Sequence, residues 1–213
     1  GAYMLGVWLK KKTGWAILNP LLVAIIVVIA FLSVFHIEYK EYNRGAVYLG
    51  YFLTPATVCL AIPLYKQLEL LRQHLIAVAS AIVAGVAGSV GSIYVMCRFF
   101  QLEHTHYVTL LPKSITTAIG MGVSEEAGGI VTLTVISIII TGILGNIIAD
   151  WLFQIFKIEE PIAKGLALGT AAHAIGTAKA LELGEIEGAM SSLSIAVAGL
   201  LTVVVVPLMS GLI

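Results

Sequence analysis

The stretch GIVTLTVISIIITGILGNIIADWLFQIF, residues 129–156, runs without a lysine or arginine, and its one acid, Asp150, stands near its end. A helix needs about 20 predominantly apolar residues to cross a hydrocarbon layer about 30 Å thick, and this stretch is long enough. Working outward, residues 16–35 (AILNPLLVAIIVVIAFLSVF), 45–65, 75–97 and 189–213 are also long, apolar and free of central basic residues. The whole chain agrees: of its 213 residues 59% are hydrophobic and only 11% charged, with a mean hydropathy of +1.01. A water-exposed surface needs more polar cover than that. The expected fold is an all-α polytopic membrane protein of about six or more transmembrane helices. Broken or re-entrant helices are expected among them, and an inverted repeat is a candidate symmetry.

Charge and cysteine content exclude other classes. Twelve Lys/Arg balance twelve Asp/Glu, for a formal net charge of +0, so no field gathers nucleic acid. Cys59 and Cys97 both lie in apolar stretches and indicate neither a disulfide framework nor a metal site. Basic residues set an orientation by the positive-inside rule: Lys10–Lys12, Lys66, Arg72, Lys157 and Lys164 are cytoplasmic, and the loop at 103–106 (EHTH) is external. The opening GAYMLGVWLKKK reads as the last turns of a helix whose earlier part is missing, or as an interfacial anchor made by Tyr3, Trp8 and Trp15.

Two segments, 108–128 and 161–187, are shorter in their apolar parts and rich in Gly, Thr and Ser. For the charge pattern to hold, each must return to the side it entered from or cross irregularly. They also echo each other: Thr117-Ala118-Ile119-Gly120 lies over His173-Ala174-Ile175-Gly176, and Ser114 over Thr170. Expected helix breaks are Pro20, Pro55, Gly120, Gly169 and Gly176. The chain is expected to form one transmembrane domain over residues 1–213, with candidate halves 1–107 and 108–213. Irregular backbone survives in hydrocarbon only against protein or a wet cavity, and half-helix N-termini in such a place suit an anion. The alternative is close helix packing by small residues, the reading given to residues 84–91 (AGVAGSVG).

Candidate ligand-binding side chains cluster at these interruptions: Thr54 and Thr57, then Lys113, Ser114, Thr116 and Thr117, then Thr170, His173 and Thr177. His173 either binds a carboxylate and carries a coupled proton, or packs a helix against a hydroxyl or carbonyl. Lys113 either pairs with an anion or snorkels to the headgroups. Glu182 and Glu187 are further proton-coupling candidates, with helix capping as the plainer role. Asn146 and Asp150 stand one turn apart and face the same side. Glu103, His104 and His106 match no standard zinc spacing. No metalloprotease, phosphate-loop or nucleophile-elbow motif occurs, so no catalytic residue, metal or cofactor is expected and the chain is not read as an enzyme.

Three blocks carry a resemblance: YFLTPATVCLAIPLYKQ (51–67), LLPKSITTAIGMGVSEEAGGI (110–130) and PIAKGLALGTAAHAIGTAKALELGEIEGAMSSL (161–193). In these the chain resembles the LrgB/CidB family of antiholin-like and holin-like bacterial membrane proteins. Gly169, Thr170, His173, Gly176 and Ala178 match the family's GTSGHALGVA pattern. Lys113 stands where many members have glutamine, which leaves the paralogue type open. The resemblance implies a multi-pass protein of the bacterial inner, or cytoplasmic, membrane. It implies a link to murein hydrolase control and cell lysis, beside a small LrgA/CidA-type partner. A plant plastidial relative moves glycolate and glycerate, and bacterial members are linked to pyruvate. The implied function is a secondary carrier of small monocarboxylates or 2-hydroxycarboxylates, such as pyruvate, glycolate, glycerate or lactate, proton-coupled through His173. The alternative is a non-transporting regulator acting with the small partner. A homodimer is expected for a carrier of this size.

Overall fold

A computed structural model describes residues 1–15, 18–52, 55, 59 and 61–213 of the chain. It is helical throughout, and it divides into two compact units, residues 1–60 and 61–213. In the first unit α1 (Ala2–Thr13) ends on Gly14, whose left-handed backbone (φ 69°) turns its N–H back to the Lys10 carbonyl. α2 (Pro20–Val34) starts on Pro20, where the missing N–H is not needed, and the Asn19 side chain accepts from Leu21 N at 2.9 Å. Pro20 therefore opens a helix here, and Gly6 of α1 lies directly against it. α3 (Tyr39–Gly50) is amphipathic.

The second unit holds α4 (Ala61–Lys66), α5 (Leu68–Gln73), α6 (Leu75–Phe99), α7 (His104–Leu110), α8 (Thr117–Glu126), α9 (Val131–Ile155), α10 (Pro161–Leu183) and α11 (Glu185–Ser210). Among the described residues α6, α9 and α11 are long and apolar enough to cross a membrane, against the expectation of about six or more. The difference has a local cause. Stretch 16–35 yields only the 15 residues of α2, because Pro20 begins that helix, and stretch 45–65 is shared between α3, α4 and residues outside the description.

On α6, Val78, Ile82, Val86, Val90, Ile93 and Cys97 form one buried stripe at helical spacing. It packs with Leu111, Ile115, Val123, Met190, Ala198 and Val206 into the main core. The outward side chains, such as Val83 and Val95, are apolar too, as lipid requires.

Two segments fold back on themselves. Within α10 the backbone leaves the helix at Ala172 (φ −126°, ψ 16°) and His173 (φ 41°, ψ −135°). Leu168 and Ala180, on either side of this point, lie in one small buried cluster with Ala149 of α9. Gly176 lies against the Leu168 carbonyl and Ala172, an approach that leaves no room for a Cβ. Along the first limb Gly165 meets Glu187 and Gly169 meets Ser191, so this limb runs in the direction of α11. Along the second, Thr177 meets Ser191 and Leu181 meets Gly188, so that limb runs against α11. α10 is thus a helical hairpin with His173 at its apex.

The segment before α9 behaves alike. α7 and α8 are joined by the turn 111–116, and Gly120 comes back against the Pro112 carbonyl and Ile115. Beyond α8, Ile130 N donates to Thr109 Oγ1, next to the turn, at 2.8 Å. Thr134 of α9 pins both limbs: its hydroxyl is 2.9 Å from the Thr109 carbonyl and 2.6 Å from Ser124 Oγ.

Candidate functional site

The apex of the first hairpin places Lys113 and Ser114 beside the first limb of the second. Both line a cavity of about 520 Å³ with Thr170 and Ala171 of α10 and with Gly85, Gly88, Ser89 and Ser92 of α6. The turn is held by Lys113 N donating to the Leu110 carbonyl at 3.1 Å, and Ser114 is buried. Lys113 Nζ donates to Ser114 Oγ at 3.0 Å, and Ser114 Oγ is 2.9 Å from Ser89 Oγ. A smaller recess continues inward past Ser89, Ser114 and Thr170 toward Thr202.

Thr170 is the anomaly in this site. A helical threonine usually turns its hydroxyl to the carbonyl one turn back. Thr109, Thr177 and Thr202 do so, with Thr105, His173 and Ala198. Thr170 is only 6% exposed, yet its Oγ1 has no partner among the described residues. A buried hydroxyl left unpaired costs about 1–3 kcal/mol.

His173 stands three residues beyond Thr170, at the apex of α10, and does not line this cavity. It is 4% exposed, and its Nε2 is 2.9 Å from the Ile138 carbonyl of α9. A carbonyl only accepts, so Nε2 carries the hydrogen and Nδ1 the lone pair. Gly142 lets the ring approach α9, since a Cβ there would stand 2.8 Å from Nε2. One turn along, Asn146 Nδ2 donates to the Ile175 carbonyl at 3.2 Å, and the Asp150 carboxylate pairs with Lys179 at 2.7 Å. The two residues face the same side, as their spacing implies, and that side carries the second limb of α10.

The structure thus brings together Lys113, Ser114 and Thr170, with His173 at the adjoining apex. Thr177 is buried in a bond to Ser191 Oγ at 2.8 Å and is not at the cavity. Thr116 precedes α8 in extended conformation and Thr117 begins it; neither lines the cavity. Gly120 lies inside α8, and Gly169 and Gly176 flank the non-helical pair on the two limbs of α10. Glu182 and Glu187 stand at the far end of the second limb, Glu182 about 13 Å of helix from His173. Thr54 and Thr57 lie outside the described residues, and with them the surroundings of the break expected at Pro55. Ser89, Ser92 and Gly142 were missed by sequence reasoning. The available signal was hydroxyls at helical spacing from Gly85 and Gly88, in a stretch assigned to packing. Among the described residues no group of His, Cys, Asp and Glu is arranged to hold a metal ion. His104 instead places Nδ1 2.8 Å from the Ile213 carbonyl.

Comparison with known proteins adds what geometry cannot. The profile of the LrgB-like family matches residues 1–212. The chain belongs to the LrgB-like family. Its relatives in this family include the antiholin-like protein LrgB of Bacillus mycoides (strain KBAB4), 40% identical over 208 residues that cover 97% of this chain and 90% of that protein. Proteins of the same name from Bacillus cereus (strain B4264) and Bacillus anthracis (strain CDC 684 / NRRL 3495) are each 39% identical over the same shares. No solved structure matches this LrgB-like chain. Family membership and the long apolar helices make it a multi-pass protein of the bacterial inner membrane.

Proposed function

We propose that this protein is a secondary carrier of small monocarboxylates or 2-hydroxycarboxylates, of the pyruvate, glycolate, glycerate and lactate type. The observation that carries the reading is the buried Thr170 hydroxyl, unpartnered among the described residues, beside a cavity that Lys113 and Ser114 share with α6 and the first limb of α10. A carboxylate there would take hydrogens from the ammonium and the hydroxyls, and one ammonium matches one negative charge. Burying that pair costs far less than burying either ion alone.

The arrangement of elements supports alternating access. The two hairpins are read as re-entrant, the first from the outside and the second from the cytoplasm, which satisfies the charge bias of Lys157 and Lys164. Each is followed by a long helix that pins both of its limbs, at Thr134 of α9 and at Ser191 of α11. α9 and α11 run in opposite directions, as their contacts with α10 require, so the two hairpin-and-helix units are read as an inverted repeat. His173 is the coupling residue in this reading, taking a proton on Nδ1, with Glu182 and Glu187 on its route to the cytoplasm. A homodimer would give the moving parts a fixed frame.

The relatives' printed name, antiholin-like, favours a second reading: a regulator of murein hydrolases and lysis that works with a small LrgA/CidA-type partner and moves nothing by itself. One experiment separates the two. The purified chain is reconstituted alone in liposomes, and uptake of labelled pyruvate, glycolate, glycerate and lactate is followed with and without an inward proton gradient. Saturable uptake that the gradient stimulates is expected. Its absence from folded protein, present in both orientations, would favour the regulator.

A further inference from the structure

Ser89 stands on α6, outside both hairpins, at the wall of the cavity. Serines in apolar helices usually bond a carbonyl one turn back, as Ser80 does with Ala77 and Ser92 with the Ser89 carbonyl at 2.7 Å. The Ser89 hydroxyl instead points across to the other element, 2.9 Å from Ser114 Oγ. Ser114 Oγ already accepts from Lys113 Nζ, and an ammonium has no lone pair to give back. Two hydroxyls joined by a single hydrogen bond leave one O–H hydrogen without an acceptor, whichever of them donates. Lys113 keeps two more N–H groups, and the Thr170 hydroxyl is buried with no partner. No acid and no amide side chain lines this cavity among the described residues. Hydrogens converge there from three elements, and among the described residues the side-chain acceptors are hydroxyl oxygens alone.

We propose that Ser89 is an anion-holding residue, the α6-side donor of a recess whose other donors are Lys113 and Thr170, and that the recess takes a carboxylate-type monoanion that only accepts hydrogen bonds. This rests on reading the cavity as an anion site, as the proposed function does, and it does not require turnover. The role is distinct from helix packing, because packing leaves the hydroxyl hydrogen on a backbone carbonyl.

The test uses the full chain with the exposed Cys59 replaced by serine and Ser89→Cys added; Cys97, which is buried, is the unreactive background. Labelling rates are measured with an anionic (sulfonatoethyl) and a cationic (trimethylammonioethyl) methanethiosulfonate, each normalised to its rate with a free thiol. The anionic reagent is expected to react about tenfold faster. Acetate should slow it and neutral acetamide should not, and Lys113→Gln should remove the preference. Equal rates, a thiol that does not react, or labelling indifferent to acetate would overturn the proposal. In the uptake assay Ser89→Ala should raise KM with little change in maximal rate, and Ser89→Thr, which keeps the hydroxyl, should restore it. If wild-type protein moves no carboxylate but the charge preference and acetate protection hold, the carrier reading fails and the anion site stands. If uptake is normal in Ser89→Ala and the labelling is indifferent to charge, the role of Ser89 fails and the carrier stands.

Discussion

Thr170 is a residue at which stability and the proposed function pull in opposite directions. Its hydroxyl is buried without a partner, so Thr170→Val, of nearly the same shape, removes a polar atom that destabilises the folded state by about 1–3 kcal/mol. The expected result is a melting midpoint raised by about 2–4 °C per kcal/mol in detergent. Carboxylate uptake in the same variant should fall about tenfold, the loss expected for one hydrogen bond to a charged group. A melting point that drops would show that the hydroxyl has a structural partner and would remove the main support for a ligand there. His173 makes a related case. A positive φ of 41° on a non-glycine residue stores strain, of order 1–3 kcal/mol, which the packing around the apex holds in place. His173→Gly should therefore keep a folded protein, with its backbone relieved, while losing the stimulation of uptake by a proton gradient. Unchanged gradient dependence in that variant would dismiss the histidine as the coupling residue. At this scale much of the site was legible. Lys113, Ser114, Thr170 and His173 stand out in the sequence because polar side chains beside glycine in an apolar chain are expensive to bury. Ser89 was not legible, because serine among glycines and alanines also suits close helix packing, and only the direction of its hydrogen bond tells the two apart.

Each hairpin depends on one hydroxyl of the helix that follows it. Thr134 joins Thr109 on one limb to Ser124 on the other, and all three side chains are buried. Thr134→Val leaves a buried carbonyl and a buried hydroxyl short of a partner, so a loss of about 1–2 kcal/mol is expected in unfolding measurements. Ser191 occupies the matching place on α11, bonded to Thr177 and lying against Gly169, and Ser191→Ala should lose a similar amount. A variant at either position that melts with the wild type would mean the limbs are held by packing alone. Element boundaries show where sequence reasoning stops. Periodicity and length locate α6, α9 and α11 within a few residues, because lipid demands an unbroken apolar run. The reversal inside α10 is harder to place. Gly169 and Gly176 mark the region, but the backbone breaks between them, at Ala172 and His173. The reason lies in what the glycines do. Gly176 lets the second limb touch the Leu168 carbonyl of the first, a contact between residues that no local pattern pairs.

For the molecule as a whole, the two hairpins make a prediction about sidedness that a chain of simple crossings would not make. Lys66 and Arg72 stand just before α6, and Lys157 and Lys164 stand between α9 and the first limb of α10. If basic residues stay in the cytoplasm, α6 leads outward and α9 leads inward. The segment between them, α7 and α8, must then begin and end outside, and α10 must begin and end inside. Contacts agree for α10: α11 starts directly after its second limb and ends against α7 through Tyr107 Oη and the Met209 carbonyl. Single cysteines at Gln101 and Gly128, which bracket the first hairpin, should react with a membrane-impermeant maleimide added to intact cells. Cysteines at Lys157 and Gly184, which bracket the second, should react only after the membrane is opened. Labelling of Gln101→Cys and Gly128→Cys from opposite sides would turn the first hairpin into a crossing, and with it α9 would change direction. The turn that carries Lys113 would then no longer meet α10 from the opposite face of the membrane, which is the geometry an alternating-access carrier needs. Agreement at all four positions would leave Lys113 and His173 near the middle of the membrane, each carried on a hairpin entering from a different side.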